Sequence, residues 1–391
     1  MFRKKTINDV DLTGKKVFVR VDFNVPLKEG RVADDTRIKA AIPTINYLLK
    51  EKAAVILASH LGRPGGEHKE ELSLRPVAEY LKQMVKTKVI FVEDCLGEIA
   101  EKAAKNLNSG EILVLENTRF HLEEKANDPL MGEKLAKMAD VFVNDAFGTA
   151  HRAHASNVGI AKHLPAIAGL LLEKEINYLG NTITNPDKPF TVILGGAKVS
   201  GKIGVINNLA HKVDHFLIGG GIANTFFAAQ GYKMGDSLVE EESLEIAKSI
   251  LKEIGDKLLL PVDVVISDKF SSATSSKIVP VGDIPEGWRV MDLGPKTLYK
   301  FGKIIRDSKT IIWNGPMGVF EFPEFSRGTF SLAKVVAESS AVTIVGGGDS
   351  AAAVKESGLS DKITHISTGG GASLKMLEGA VLPGLEALDD K

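Results

Sequence analysis

The chain reads as an α/β protein made of two doubly wound, Rossmann-like parallel-sheet domains joined by a hinge helix. Short runs rich in Val and Ile recur through both halves, helix-like segments separate them, and a strong breaker falls near the middle. In the first half the runs are 17–21, 54–58, 89–92, 112–115 and 141–143, with helix-like stretches such as 74–84 between them. Runs this short and apolar suit strands buried on both faces, which is the condition of parallel sheets with helical crossovers. The same grammar returns after position 190, at 192–194, 215–218, 262–266, 310–313, 342–345 and 363–366. Between the halves, residues 166–179 (AIAGLLLEKEINYL) predict a helix, followed by Gly180 and the breaker Asn185-Pro186-Asp187-Lys188-Pro189. The expected division is therefore a first domain over 1–170, a helix and linker over 171–189, and a second domain over 190–375. Length agrees, because 391 residues at about 150 per domain make two to three domains.

Composition narrows the function. Charged residues are 25% and the 49 basic and 50 acidic side chains nearly cancel, so neither nucleic acid nor an anionic membrane is expected as a partner. The lone cysteine, Cys95, excludes an internal disulfide, reads as a small apolar filler, and suits a reducing cytoplasm. The greasiest run, 164–172, is far below the roughly 20 residues that span a bilayer, so a soluble cytoplasmic protein is expected. Acidic residues 240–242 follow Asp236 and Ser237, which predicts a capped first helical turn.

Ligands of doubly wound sheets bind outside the carboxyl ends of the strands. In the first half those positions carry Asp22 and Asn24, then His60 and Arg63, then Arg119, then Arg152, with Arg37 after an acidic turn. Guanidinium forks bind phosphate and carboxylate bidentately, so Arg37, Arg63, Arg119 and Arg152 with His60 point to a small polyanion. Singly, each arginine reads first as a surface ion pair, and it is their repeated placement at strand ends that points to a shared ligand. His151 and His154 have a metal-compatible spacing but no third ligand motif nearby.

The second half offers glycine. Gly196 to Lys202 has a GxxxxGK skeleton without the terminal Ser or Thr, so either it is not a phosphate loop of the usual kind or the metal is held from elsewhere. Glycines and the lysines Lys198 and Lys202 at a helix start still make an anion site. Gly346-Gly347-Gly348-Asp349-Ser350-Ala351 fits a GxGxxA dinucleotide pattern, but no acidic residue follows the next strand, where Ser367 and Thr368 stand. Gly347, Gly348 and Ser350 then read as a second phosphate cradle, with Asp349 as magnesium ligand. Gly369 and Gly370 begin a third anion-receiving helix. The turn holding Asn314, Pro316 and Glu321 suits a nucleoside. A polyanion site, a nucleotide-phosphate site and a hinge together are what phosphoryl transfer requires.

Taken together, KVFVRVDFNVP (16–26), SHLGRP (59–64), ENTRF (116–120), AFGTAHRAHAS (146–156), the 195–202 and 346–350 glycine turns and 313–321 resemble phosphoglycerate kinase, in that family's order and over nearly the whole chain. The resemblance implies a monomer that moves a phosphoryl group reversibly between 1,3-bisphosphoglycerate and MgADP, giving 3-phosphoglycerate and MgATP. It implies in-line transfer after hinge closure, in glycolysis and gluconeogenesis. By motif, Asp22, Asn24, Arg37, His60, Arg63, Arg119 and Arg152 would hold phosphoglycerate, and Arg37 would also reach the transferring group. Lys198 and Lys202, with Gly369 and Gly370, would act on the phosphoryl group. Gly220, Gly221, Asn314, Pro316, Glu321, Gly347, Gly348, Asp349 and Ser350 would bind nucleotide, Asp349 through Mg2+. The resemblance also implies that segment 376–391 returns to the first domain. Ala380 stands where that family's ending suggests lysine. Two other classes remain open on the residues alone: a nicotinamide dehydrogenase using the 346–351 pattern, and a non-catalytic hinged protein binding small anions.

Overall fold

The computed structural model describes residues 3–272 and 274–391. The chain divides into one unit that ends at Asn177 and takes back Val381–Lys391, and a second that is Tyr178–Ala380.

The first unit carries six parallel strands: β1 (Lys16–Arg20), β2 (Ala54–Ala58), β3 (Val89–Phe91), β4 (Ile112–Val114), β5 (Val141–Asn144) and β6 (Ala166–Ala168), in the order β3-β4-β2-β1-β5-β6. All five residues of β2 are buried, as a central strand covered on both faces requires. Val19, Val55, Leu57, Ile112 and Val143 pack with Ile38, Ile45 and Leu48 of helix α1 (Thr36–Lys50) and with Val77 and Leu81 of the Arg75–Met84 helix. Chain order reverses at β1, which has β2 on one side and β5 on the other, so the loops after β1, β2 and β5 open onto one crevice.

The second unit repeats the plan with β7 (Phe190–Leu194), β8 (His215–Ile218), β9 (Leu258–Leu259), β13 (Thr310–Asn314), β14 (Val342–Gly346) and β15 (His365–Ile366), in the order β9-β8-β7-β13-β14-β15. Ile193, Trp313, Val345, Phe301 and Leu332 form its core. Inserted between β9 and β13 is an antiparallel sheet of β10 (Asp263–Ser267), β11 (Ser276–Pro280) and β12 (Arg289–Leu293), with β10 central.

Three sequence expectations change. The run at 262–266 is not a strand of the parallel sheet; Pro261 follows the two-residue β9, and the next residues pair antiparallel as β10. A proline cannot donate to the ladder, so the parallel edge stops there. Residues 166–179 are not one helix: Ala166–Ala168 pairs with β5, and helix α2 (Leu170–Thr184) starts after Gly169 and runs past Gly180. Small alanines made the strand read as helix, whereas a free edge beside β5 decided its state. Asp236 and Ser237 cap no helix; Asp236 accepts the Gly287 N–H and pairs with Arg289, and Ser237 Oγ accepts the Val290 N–H. The second unit also extends to Ala380 instead of 375, because the Gly370–Leu377 helix packs on the Ile203–Leu209 helix and Asn208 Nδ2 donates to Leu377 O at 2.8 Å.

The start of α2 rests on a buried carboxyl. Asp145 Oδ1 accepts the N–H groups of Leu171 (2.9 Å) and Leu172 (3.3 Å), and Thr44 Oγ1 accepts that of Leu170 at 3.0 Å. Full burial raises the Asp145 carboxyl to about 7, overriding those stabilising bonds. A carboxyl with a raised folded pKa keeps its proton longer in the folded state, so its contribution to stability falls as pH rises from about 4 to about 7 and is level above that. His60 and His154, both pushed down by burial, contribute with the opposite sign at acid pH. The difference between parent and Asp145→Asn therefore isolates the effect. Urea unfolding across this range is expected to show that difference changing by up to about 1.4 kcal/mol per pH unit. Parallel curves for the two proteins would remove Asp145 as the titrating group.

Candidate functional site

In the first unit the crevice is lined by charge held in a fixed frame. Asn117, after β4, accepts the N–H groups of Leu61 and Arg119 (both 3.1 Å) and donates to Leu61 O (2.7 Å) and Leu72 O (2.9 Å). It thereby stitches the loop after β2 to the turn that carries Arg119. Ser59 Oγ accepts the Phe23 N–H at 2.8 Å, tying the β1 loop to the β2 loop. Asn24 Oδ1 accepts the Gly62 N–H at 2.9 Å, and Arg37 Nη1 donates to Asp22 Oδ1 (3.1 Å) and Asn24 O (3.0 Å). Arg119 Nη1 donates to Gly62 O at 2.7 Å.

Burial and mutual repulsion set the charges. Arg119 is lowered to about 10 by burial and by Arg20 and Arg152, so it remains a cation at neutral pH. His60 is driven well down, first by burial and then by Arg20, Arg119 and Arg37. It is thus a neutral imidazole and not a further cation of the cluster. Its Nδ1 lies 3.2 Å from Arg20 Nη2; arginine only donates, so Nδ1 accepts and Nε2 carries the proton. Arg63 and Arg152 are exposed, Arg152 Nε donating to His151 Nε2 at 3.1 Å. His154 Nδ1, which the sequence paired by spacing with His151, faces the buried Glu124 at 3.7 Å.

Sequence reasoning missed Arg20. This fully buried arginine bonds Ser156 Oγ (2.7 Å), Val21 O and His60, and lies 3.9 Å from the buried Glu124. Glu124 in turn accepts from the Ser156 N–H (2.9 Å), Ser156 Oγ (2.6 Å) and Thr118 Oγ1 (3.2 Å). A charged residue inside the apolar run KVFVRV was the available signal.

In the second unit glycine turns after β7, β8 and β13 bond to one another. Gly195 N–H donates to Asn314 O (3.0 Å), Gly196 N–H to Pro316 O (2.9 Å) and Gly220 N–H to Met317 O (3.1 Å). Such approach needs glycine: a Cβ on Gly195 would stand 2.0 Å from Pro316 O, and Gly315, at φ +97, would meet Gly195 O at 2.1 Å. Trp313 Nε1 donates to Gly315 O at 2.7 Å, and Ser350 Oγ accepts the Gly315 N–H at 2.6 Å. The Ser350 hydroxyl thus holds the Gly315 turn through its acceptor oxygen, and that bond does not use its own O–H donor. These turns border a cavity of about 670 Å³ whose lining includes Gly196, Gly220, Gly221, Pro316, Glu321 and Asp349. Lys198 is exposed and not part of that lining.

Lys202 ends the 195–202 loop and its Nζ donates to Asn314 Oδ1. Burial lowers its pKa while Glu378 and Asp349 hold it up. Helices Gly348–Glu356 and Gly370–Leu377 start side by side, since a Cβ on Gly370 would lie 3.2 Å from Gly347 Cα. Their free N–H groups and aligned dipoles favour anions. Gly369 spends its own N–H on Ser367 Oγ (3.2 Å), so the groups left to receive an anion belong to Gly370 and the residues after it. Asp292, also missed, sits in the cavity wall with Oδ2 accepting the Gly328 N–H at 2.6 Å, and burial lifts it to about 7.

A family model described as phosphoglycerate kinase matches residues 7–380. Phosphoglycerate kinase of Chloroflexus aggregans is 57% identical over 396 residues, covering 99% of both chains. That of Clostridium kluyveri is 54% identical over 397 residues, covering 100% of both. Among solved structures, phosphoglycerate kinase from Coxiella burnetii superposes with a TM-score of 0.89 at 40% identity over 98% of each chain.

Proposed function

The chain belongs to the phosphoglycerate kinase family, and from that premise we propose that it transfers a phosphoryl group reversibly between 1,3-bisphosphoglycerate and MgADP, yielding 3-phosphoglycerate and MgATP, in glycolysis and gluconeogenesis. The observation that carries the reading is the presence in one chain of two complementary anion sites. One unit has guanidinium groups around a neutral imidazole, and the other has interlocked glycine turns around a nucleotide-sized cavity.

Phosphoglycerate falls to Asp22, Asn24, His60 and the arginines Arg37, Arg63, Arg119 and Arg152. Its acceptor carboxylate is already ionised, so transfer needs no general base. A neutral His60 suits that demand, because its Nε2 proton serves as a donor to substrate oxygen. The nucleotide falls to the second unit: Gly220, Gly221 and Pro316 wall the base, Glu321 takes the ribose, and Gly347, Gly348, Ser350 and Asn314 lie toward the phosphates. Lys198, Lys202, Arg37 and the N–H groups of the helix that begins at Gly370, after the Gly369 turn, neutralise charge on the transferring group.

The residues fit the magnesium that accompanies the nucleotide. Asp349 offers an exposed hard oxygen on the cavity lining, and such an ion uses one or two carboxylates with phosphate and water. When bound it would offset phosphate charge. The conformational step in this reading is closure about α2, which excludes water from the reacting groups. The dehydrogenase alternative lacks its acidic partner, since β15 is followed by Ser367 and Thr368. A cytoplasmic monomer is part of the proposal. No helix among the described residues is long and apolar enough to cross a membrane.

The test is a coupled assay with 3-phosphoglycerate, ATP and Mg2+, in which acyl phosphate is consumed by a downstream dehydrogenase. Turnover that requires all three components is the expected result. Folded protein that binds ATP without turnover would leave only the anion-binding alternative.

A further inference from the structure

Outside the residues assigned to either site, three different donors converge at the carboxyl ends of β3 and β4. These strands are parallel neighbours, so the loops leaving them emerge side by side. Asp94 and Cys95 lie in the first loop, and His121 follows the Thr118–Phe120 turn in the second. One ligand atom from each residue lies within 4.8 Å of the other two. Asp94 Oδ1 accepts the N–H groups of Cys95 (2.6 Å) and Leu96 (3.1 Å), and His121 Nε2 lies 2.7 Å from it. Those bonds hold the carboxylate in place through one oxygen, and Oδ2 makes none of them.

Accessibility narrows the chemistry. Cys95 is fully buried, while the Asp94 and His121 side chains are 41% and 28% exposed. A thiol nucleophile set with Cys, His and Asp needs its sulfur within reach of substrate, which a fully buried sulfur is not. A cation held by the solvent-reachable Asp94 and His121 would have the Cys95 sulfur within 4.8 Å of both ligand atoms. Carboxylates of Glu116 and Glu124 also act on that sulfur electrostatically, and they favour positive charge there.

We propose that Asp94, Cys95 and His121 bind a divalent transition ion of the zinc class, with water as the fourth ligand. One thiolate, one imidazole and one carboxylate suit zinc or cobalt, whereas magnesium and calcium prefer oxygen alone. Ligand bonds of about 2.0–2.3 Å place tetrahedral donors about 3.5 Å apart, so donors now within 4.8 Å of one another rearrange by about an ångström, and the 2.7 Å contact between His121 and Asp94 opens to admit the ion. Binding transfers the Cys95 thiol proton to solvent, and His121 coordinates as the neutral ring. The ion would clip the β3 loop to the turn that carries Arg119, tying this edge of the sheet to the anion cluster.

The full chain, stripped by chelator dialysis, is titrated with Co2+ and then Zn2+. The expected result is one equivalent of cobalt with a thiolate-to-cobalt charge-transfer band, displaced by zinc. Cys95→Ser abolishes the band, and His121→Gln weakens zinc binding by at least about tenfold. Zinc raises the melting temperature of the parent chain and not that of His121→Gln. Because His121 is partly exposed, this second variant carries the test even where Cys95→Ser misfolds. Absence of stoichiometric binding, or binding unchanged in His121→Gln, overturns the proposal.

Discussion

Arg37→Ala is expected to lower kcat by about 10²–10³-fold, the scale of removing one donor aimed at transition-state charge, while calorimetric ATP affinity stays unchanged. Arg37 Nη1 is held by Asp22 and by Asn24 O at 3.0–3.1 Å, on a side chain one third exposed. That arrangement keeps the guanidinium oriented and hydrated enough to exchange partners. Asp22 stabilises the cation without burying it, so an incoming phosphate can compete for the fork. Lysine restores charge but not the planar fork, and Arg37→Lys should recover only part of the rate. Steady-state kinetics in both substrates decide the matter. A rise confined to the KM for 3-phosphoglycerate, with kcat intact, would make Arg37 a binding residue only.

Glu124→Ala is expected to cost about 3–5 kcal/mol of stability, the usual result of leaving one member of a buried charge pair alone. Both Arg20 and Glu124 are completely buried, so no water replaces the lost partner. The substitution also strands the Ser156 N–H and hydroxyl that Glu124 now accepts. Combining Glu124→Leu with Arg20→Met removes both charges and should be milder than Glu124→Ala alone. Denaturant unfolding of the parent and the two variants measures this, and equal stability of Glu124→Ala and the parent would refute it. The double variant also tests positioning. Without Arg20, His60 Nδ1 loses the donor that holds its tautomer, so KM for 3-phosphoglycerate should rise even where the fold is recovered.

Much of this was legible in the linear chain because local pattern and global fold agree. The runs at 54–58 and 192–194 are apolar at every position because both faces of a central parallel strand are covered, and β2 and β7 are buried throughout. The residues proposed to bind anions were readable for a topological reason: parallel strands end on one side, so His60, Arg119 and Gly220 could be found by looking just past each run. The same logic failed at the sheet edges. Ala166–Ala168 has helix-forming composition, and only the unpaired edge of β5 makes it a strand. At 262–266 the apolar run was visible, but its partner strands and their direction were not.

By itself, the sequence determined which residue types stand after each strand, hence the arginine-rich and glycine-rich characters of the two units. It also determined the order of motifs that marks the family. Tertiary structure alone decided protonation and engagement. His60 is neutral because burial and three arginines surround it, and Asp145 and Asp292 keep protons to about 7 because nothing in their buried settings fully offsets desolvation. It also decided that Ser350 Oγ accepts the Gly315 N–H and that Asp94, Cys95 and His121 meet. Residue identity sets what a group can donate, accept or ionise. Dielectric surroundings and distance set what it does, and both depend on side chains brought together from positions far apart in the chain.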